Sequence, residues 1–144
     1  MIIHRYKKED KEQLIKLIED CLYQIFEVKP KKIELDNGLL EKDGILYVAE
    51  DKGKIIGSVG IKRQKRGIAR LKKMYVAKNY RKKGLGQKLY DKAESFAEKQ
   101  GYKNIILSTT SQMKEAIAFY SKNGFKYYRK NKKKNQLFFK KRLK

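Results

Sequence analysis

Apolar residues recur at helical spacing in two long stretches of the chain. These are Leu14, Leu17, Ile18, Cys21, Leu22 and Ile25, and then Leu85, Leu89, Ala93, Phe96 and Ala97. In each stretch the spacing places the apolar side chains on one face of a helix. Asp10, with Gln13 three residues later, indicates where the first helix begins, and Gly101 indicates where the second ends. The pattern therefore predicts two amphipathic helices.

Shorter apolar runs predict β-strands. Residues 45–49 and 55–61 are joined by Asp-Lys-Gly-Lys at 51–54, which is typical of a hairpin turn. A basic loop at 63–67 leads to a strand ending at 71–76, where Lys72 and Lys73 break the alternation and indicate a bulge. We predict the remaining strands at 1–6, 105–107, 125–129 and 136–140, with a basic loop at 130–135 between the last two.

Two shorter helical patterns complete the order of elements. A weak one spans 33–40, after Pro30, and another spans 114–122, where Asn123-Gly124 ends it. The order is strand, two helices, three strands, helix, strand, helix and two strands. It predicts an α/β domain of mixed α+β type, with a largely antiparallel sheet and helices packed on it. No repeat or linker divides the chain, so we expect residues 1–144 to form one domain.

The composition fits a folded domain. Of the 144 residues, 40% are hydrophobic and 11% aromatic, which is enough for a core. No apolar run approaches the ~18 residues of a membrane span, and residues 1–10 hold no signal-like run. We therefore expect a soluble, cytoplasmic protein that does not interact with membranes. A single cysteine excludes an internal disulfide, and a single histidine, His4, makes a metal site of the usual ligands implausible.

The charge is large and unevenly distributed. Lys and Arg total 38 against 16 Asp and Glu, a net charge of +22. Residues 1–51 carry a net charge of −3 and residues 52–144 a net charge of +25. The basic part should attract a polyanion. Because 31 of the 38 basic residues are lysine, base-specific reading of nucleic acid is disfavoured, whereas non-specific contact with phosphates is not.

The segment from Arg81 to Gln87 carries the most informative chemistry. Its sequence, Arg-Lys-Lys-Gly-Leu-Gly-Gln, joins a strand to the second amphipathic helix. The two glycines allow close approach of a ligand, and the helix N-terminus and three basic side chains add positive charge. These features predict a pyrophosphate cradle. No Gly-Lys-Ser/Thr follows, as a Walker A loop requires, and the third glycine of the dinucleotide fingerprint is missing.

A second segment supports this interpretation. Tyr120 lies near the end of the short helix, and Asn123-Gly124-Phe125 follows. Together the two segments resemble the GCN5-related N-acetyltransferase (GNAT) family. Arg-Lys-Lys-Gly-Leu-Gly at 81–86 matches the family's Gln/Arg-x-x-Gly-x-Gly/Ala loop, and Tyr120 with Gly124-Phe125 matches its tyrosine and Gly-Phe ending. The resemblance covers most of the chain. It implies about seven strands, helices on both faces of the sheet and a splayed strand pair.

The resemblance also implies a ligand and a reaction. The ligand is acetyl-CoA, and the acetyl group passes to a primary amine by direct attack in a ternary complex, without a metal. Tyr120 would act as the general acid that protonates the CoA thiolate. Main-chain groups of the strand at Met74, Tyr75 and Val76 would hold the pantetheine arm. The pyrophosphate would be held by Arg81, Lys82, Lys83, Gly84, Leu85, Gly86 and Gln87.

The chain departs from the family pattern at two positions. Met113 stands where many members have Asn, and Ser108 where some have Glu. No carboxylate or histidine occurs between Arg66 and Tyr80, so the general base is not identified. Glu50, Glu115 and an ordered water remain candidates. Direct transfer needs no nucleophile on the enzyme, which agrees with a packing role for Cys21.

Several alternatives remain open at this stage. The −3 segment, which would supply the acceptor pocket, predicts a cationic acceptor such as a polyamine or a basic peptide. A different function is a basic module that binds nucleic acid or a ribosome surface. Residues 63–66, 130–134 and 140–144 would supply its charge, and Tyr127, Tyr128, Phe138 and Phe139 would stack on bases. We expect these aromatics to pack inward. The acyl-chain length, and whether the protein is a monomer or a homodimer, are undetermined.

Overall fold

The computed structural model describes residues 1–35 and 38–144 and contains one seven-stranded sheet. The strands are β1 (Ile2–Arg5), β2 (Ile45–Asp51), β3 (Lys54–Lys65), β4 (Ile68–Val76), β5 (Asn104–Thr109), β6 (Lys126–Asn131) and β7 (Gln136–Arg142). The helices are α1 (Lys11–Phe26), α2 (Leu85–Lys99) and α3 (Lys114–Lys122). The strand order is β1-β2-β3-β4-β5-β7-β6, and β4 with β5 is the parallel pair. The mixed, mostly antiparallel fold is confirmed.

Helices cover both faces of the sheet, as predicted. The apolar face of α1, with Leu14 and Ile18 fully buried, packs on one face of the sheet. On the other face, α2 contributes Leu89 and Ala93, and α3 contributes Tyr120. Within the described residues, no helix is both long and apolar enough to cross a membrane.

The predicted bulge in β4 is present. Ser58 of β3 pairs with Tyr75, but Gly60 pairs with Lys72, so the register shifts between them. Lys73 takes a left-handed conformation (φ 55°), and its carbonyl accepts a hydrogen bond from Ser58 Oγ (2.6 Å). The bulge turns the last part of β4 relative to its neighbours.

The parallel pairing of β4 with β5 is short. It covers residues 68–70 of β4 and 104–106 of β5. Beyond these residues the two strands separate, while β4 remains paired with β3 and β5 with β7. The splayed strand pair expected from the family resemblance is therefore confirmed, and the bulge lies close to the point of separation.

The helix predicted at residues 33–40 is wrong for the described residues. Residues 33–35 and 38–40 are irregular, and residues 36 and 37 lie outside the described part. Leu35 and Leu39 are buried against the core under α1, so their spacing of four reflects two core anchors. Gly38 (φ 88°) is left-handed, which does not fit a helix.

One other boundary and the role of one side chain differ from the prediction, whereas the first helix begins after Asp10 as predicted. The basic loop at 63–67 is mostly strand, because β3 extends to Lys65 and a two-residue turn ending in left-handed Gly67 (φ 76°) leads into β4. Gln13 does not cap the first helix. Its side chain bonds the Gly53 carbonyl (3.3 Å) and the Ile55 amide (2.9 Å), and so holds the β2–β3 turn against α1.

Candidate functional site

A cleft of about 810 Å³ opens where β4 and β5 separate. The start of α2 and the helix α3 form one side of it, and the C-terminal half of α1 forms the other. Its lining residues are Cys21, Gln24, Ile25, Met74, Tyr75, Val76, Arg81, Lys82, Gly84, Gly86, Gln87, Gln112, Met113, Lys114, Glu115, Ala116, Phe119, Tyr120 and Lys122. The structure therefore brings the 81–87 segment, the end of β4 and Tyr120 to one space.

The bend before α2 has the geometry of an anion cradle. Lys82 (φ 61°) and Gly84 (φ 86°) are both left-handed, and Gly84 is the N-cap of α2. Alternating left-handed residues turn successive amides toward one concave side. The first amides of α2 lack acceptors within the helix, and the helix dipole adds partial positive charge. This bend suits a pyrophosphate.

The Arg81 side chain connects the bend to α1. Its Nε donates to the Val76 carbonyl (2.9 Å) and its Nη2 to Gln24 Oε1 (2.8 Å), with Cys21 Sγ 3.5 Å from Nη2. The guanidinium therefore fixes the position of the bend relative to β4 and α1. In this arrangement Arg81 supports the cradle, whereas Lys82 is exposed at the cleft wall.

Main-chain groups at the end of β4 face the gap. The Ala77 amide donates to the Ile56 carbonyl of β3 (2.8 Å). Because successive residues of an antiparallel pair alternate, Val76 turns its amide and carbonyl away from β3, and Met74 does the same two residues earlier. The Val76 carbonyl is already occupied by Arg81. The Val76 amide and both main-chain groups of Met74 thus point into the gap.

Tyr120 is the buried phenol of the cleft. Its side chain is 8% exposed and lies between the rings of Phe119 and Phe125, each 5.7 Å away between centroids. Burial, with a smaller contribution from Tyr75, raises the pKa of Tyr120 well above its usual range. The phenol therefore carries its proton at neutral pH, as a general acid must.

Two further side chains of the opposite wall are also protonated. Burial, with a smaller contribution from Cys21, raises the pKa of Tyr75 to about 12. Burial also raises the pKa of the Cys21 thiol, although Arg81 acts in the other direction. Cys21 is 3% exposed and packs among the apolar residues under α1. A protonated, buried thiol is a poor nucleophile.

A side-chain link joins the cradle to the helix that carries Tyr120. Gln87 Nε2 donates to Asn123 Oδ1 (2.8 Å), and Asn123 Nδ2 donates to Gln87 Oε1 (3.2 Å) and to the Phe119 carbonyl (2.9 Å). The sequence indicates Asn123 only as the end of a helix. No signal in the sequence pairs it with Gln87, which is 36 residues away.

Three of the predicted site residues lie outside the cleft lining. The Leu85 side chain is buried in the core, 3% exposed, and Lys83 is exposed elsewhere. Glu50 accepts a hydrogen bond from His4 Nε2 (3.2 Å) near the N-terminal end of α1. Glu50 is not among the residues that line the cleft, and it pairs with Ile2 of β1 and Ile55 of β3, whereas the cleft opens between β4 and β5.

His4, Glu50 and the buried Asp10 form a small cluster. Their ligand atoms lie within 4.8 Å of one another, which is close enough to share a cation. The groups already have partners in the protein. His4 Nδ1 lies 2.8 Å from the Arg5 carbonyl, and Asp10 accepts from the Lys7 amide (2.9 Å). These contacts explain the cluster, which holds β1 against the start of α1.

The positions that depart from the family pattern have definite surroundings. Met113 precedes α3 and lines the cleft, and exposed Glu115 lies at the cleft's edge. Ser108 Oγ accepts from Arg70 Nη2 (2.6 Å).

At the splayed end of β5, the hydroxyls of Thr109 and Thr110 are buried without a hydrogen-bond partner in the described part of the chain. Buried hydroxyls usually have a hydrogen-bond partner, so these two are free to accept one from a water or a ligand.

Comparisons with known proteins agree with this geometry. The model of the Acetyltransferase (GNAT) family matches residues 11–125. The uncharacterized N-acetyltransferase YjgM of Escherichia coli (strain K12) is 38% identical over 84 residues, which are 56% of this chain and 50% of that protein. The chain spans about half the length of the curated relatives it matches, or less.

Solved structures share the whole fold. A GNAT-family acetyltransferase from Staphylococcus aureus Mu50 has a TM-score of 0.85 and 28% identity, with 99% of each chain covered. The PaiA N-acetyltransferase of Thermoplasma acidophilum, determined with coenzyme A, has a TM-score of 0.83 and 21% identity, covering 99% of this chain and 98% of that one. The family model includes both the 81–87 bend and Tyr120. This protein therefore belongs to the GNAT family of acetyltransferases.

Proposed function

We propose that this protein transfers the acetyl group of acetyl-CoA to a primary amine, by direct attack of the amine in a ternary complex. One observation carries the proposal: the anion cradle before α2, the Val76 amide with the main-chain groups of Met74, and the protonated phenol of Tyr120 share a single cleft. The cradle suits the diphosphate of acetyl-CoA, the main-chain groups suit its amide-containing arm, and the phenol suits its thioester. These three parts follow one another in the same order along the molecule.

The residues of the cleft fit the cosubstrate. The amides at Gly84 and the first turn of α2 would hold the diphosphate, and Lys82, Lys114 and Lys122 add positive charge at the rim. The Val76 amide and the main-chain groups of Met74 would pair with the arm as an added strand would. The unpartnered hydroxyls of Thr109 and Thr110 lie at the end of β5, the other wall of the gap.

The chemistry requires two proton movements. The amine nitrogen forms a bond to the acetyl carbon, and the carbon–sulfur bond then breaks. Tyr120 donates its proton to the leaving thiolate, whose conjugate thiol has a pKa of about 8.5. The amine gives up its own proton to water, because no carboxylate lines the described cleft except exposed Glu115.

Substitution of Tyr120 by phenylalanine tests the acid role. Tyr120→Phe should lower kcat by about 100-fold or more, since a positioned general acid contributes that much. The Kd for acetyl-CoA, measured by calorimetry, should change less than about twofold, because the ring and its packing remain. Tyr102→Phe is a matched control, since that buried phenol bonds the Asp43 carbonyl (2.8 Å) away from the cleft. Equal losses in kcat and affinity would make Tyr120 a binding residue.

A second candidate function is suggested by the far edge of the sheet. All but the last residue of β6 are exposed, and Tyr127 and Tyr128 are 54% and 44% exposed. Phe138 and Phe139 are buried, so the expectation of inward packing fails for the two tyrosines only. Lys140 Nζ lies 5.4 Å from the Tyr128 ring centroid. Exposed aromatics among lysines favour contact with a single-stranded nucleic acid.

A further inference from the structure

Basic side chains of β4 lie beside the point where β4 and β5 separate, on the face of the sheet that α1 covers. Ala69 and Leu71 are buried against α2, so strand alternation turns Arg70 and Lys72 to the opposite face. Lys73 occupies the bulge, directly after Lys72. Arg70, Lys72 and Lys73 are here called the splay cations.

The splay cations are only partly exposed, which makes their proximity costly. Burial lowers the pKa of Lys72 and Lys73, and Lys73, Arg70 and Lys62 lower that of Lys72 further. Glu34, on the segment after α1, acts in the opposite direction on both. In the part of the chain that the structure describes, no carboxylate comes within the 4.0 Å of an ion pair with a splay cation. An anion bound among them would relieve this repulsion.

The position of the splay cations relative to the reaction follows from the proposed function, on which this inference rests. The cradle lies beyond the end of β4, and the arm would run back along Val76 and Met74 toward the point of separation. The thioester would then lie near the bulge, beside Lys73. The α3 side of the gap is filled by Tyr120 and its neighbouring rings. The acceptor must therefore approach from the α1 face, past the splay cations.

We propose that the acceptor is an amine that also carries a carboxylate or phosphate group, and that Arg70, Lys72 and Lys73 bind this anionic group. Arg70 is already oriented by Ser108 Oγ (2.6 Å) and retains further N–H donors. The two lysines supply charge without fixed geometry. A carboxylate and a phosphate share the chemistry that this cluster recognises.

The inference reverses the expectation of a cationic acceptor. That expectation came from the net negative charge of residues 1–51. In the described residues, Glu34 is the carboxylate of that segment whose charge acts on both splay lysines, and three others have partners elsewhere. Asp51 accepts from the Tyr80 hydroxyl (2.6 Å), Glu50 contacts His4 and Asp20 pairs with Lys16 (3.1 Å). A polyamine entering from the α1 face would meet the splay cations instead.

The same charges assist deprotonation of the acceptor. An ammonium near several cations has a lowered pKa, because the field disfavours another positive charge. In the described part of the chain, the groups near this site include Lys62 from β3, the splay cations from β4, Glu34 from the segment after α1, and the protonated Cys21 and Tyr75. The charges of the three splay cations and Glu34 still sum to a positive value after one carboxylate binds. Water then suffices as the proton acceptor, in a cleft where we identify no dedicated carboxylate base.

Matched acceptor pairs test the proposal with the whole protein and acetyl-CoA. The pairs are β-alanine with β-alaninamide, and phosphoethanolamine with ethanolamine, with spermidine and a lysine-rich peptide as cationic acceptors. We expect kcat/KM to be at least about tenfold higher for the anionic member of one or both pairs, as charge pairing at a partly buried site predicts. The pair with the larger ratio distinguishes carboxylate from phosphate. Preference for spermidine or the peptide, or equal rates within both pairs, overturns the proposal.

Variants at Lys72 provide a second test of the proposal. Lys72→Met should raise KM for the preferred anionic amine about tenfold and leave KM for its neutral partner within about twofold. Lys72→Glu should invert the preference within the pair. Lys99→Met, at an exposed position in the last turn of α2, is the control and should change neither. If Lys72→Met affects both members equally, the splay cations do not bind the anionic group.

Failure of this inference differs from failure of the proposed function. A protein that acetylates amines without any preference for the anionic members keeps its proposed function and loses this inference. A protein that binds acetyl-CoA but acetylates no amine in the panel, at any pH between about 6 and 9, contradicts both.

Discussion

Two glycines of the cradle, Gly84 and Gly86, serve different purposes at the scale of single residues. Gly84 is left-handed (φ 86°), and a Cβ built there would meet nothing within 4 Å. Gly86 is helical, and its Cβ would lie 3.6 Å from Met74 Cε and 3.8 Å from Val76 Cγ2, which are ordinary contacts. The first glycine is therefore required by its backbone conformation. The second glycine leaves space beside Met74, but the fold would also accept an alanine at that position.

This difference predicts opposite effects of alanine. Gly84→Ala should lower the free energy of unfolding by about 1 kcal/mol, because an L-residue in this conformation is strained. It should also weaken acetyl-CoA binding, since the bend relaxes. Gly86→Ala should raise stability by about 0.5 kcal/mol through helix propensity and leave binding intact. Urea denaturation and calorimetry on both variants check this. If Gly86→Ala lowers the stability instead, the space beside Met74 is too small for a methyl group.

Hydrogen bonds between elements hold the parts of the cleft in register. The Gln87–Asn123 pair links the start of α2, which forms the cradle, to the end of α3, which carries Tyr120. Arg81 links the same bend to α1 through Gln24. The distance between the cradle and the phenol therefore depends on contacts between helices, since α2 and α3 are separated in sequence by β5.

A double-mutant cycle measures the link between α2 and α3. Gln87→Ala and Asn123→Ala should each cost about 1 kcal/mol of unfolding free energy, because each removes both hydrogen bonds between the two amides and leaves only the bonds to Phe119 and Asp91. The double variant should cost less than the sum by at least about 0.5 kcal/mol. The Lys16 and Asp20 pair on exposed faces of α1 is a control that should be nearly additive. Full additivity at Gln87 and Asn123 would mean that the two helices are positioned by packing alone.

The whole molecule carries a net charge of +22, and several basic regions contribute to its field. One is the cleft rim with Lys82, one is the group of splay cations, and one is the β6–β7 edge beside Tyr128. CoA is a polyanion, so this field should speed its association. The same field attracts nucleic acid without any specific surface.

We expect RNA binding by the whole protein to be electrostatic only. The affinity for a single-stranded RNA should fall by about 10³-fold between 50 and 200 mM salt, as release of counterions requires. Tyr128→Ala should weaken it by less than about threefold, since stacking would contribute more. Fluorescence titration at the two salt concentrations checks both. Affinity that survives 200 mM salt and depends on Tyr128 would favour the nucleic-acid module as a function of its own.

Much of the fold was predictable because its signals are local. The apolar periodicity of α1 and α2, the short helix α3 and the bulge at Lys73 all follow from residues close in sequence. Where the prediction failed, distant contacts were responsible. Leu35 and Leu39 have helical spacing but are two separate anchors in the core, and no local signal in the sequence pairs Glu50 with His4.

The sequence by itself determined the local form of two segments: the bend with its glycines and basic residues at 81–87, and the short helix with Tyr120 ahead of Gly124-Phe125. Only the tertiary structure decided which side chains lie around the gap between β4 and β5. The strands β4 and β5 separate beyond Arg70, and the fold places Lys72 and Lys73 beside this point, with the charge of Glu34 acting on both. Net charge along a chain does not give the charge at a site, because folding selects which side chains face the same space.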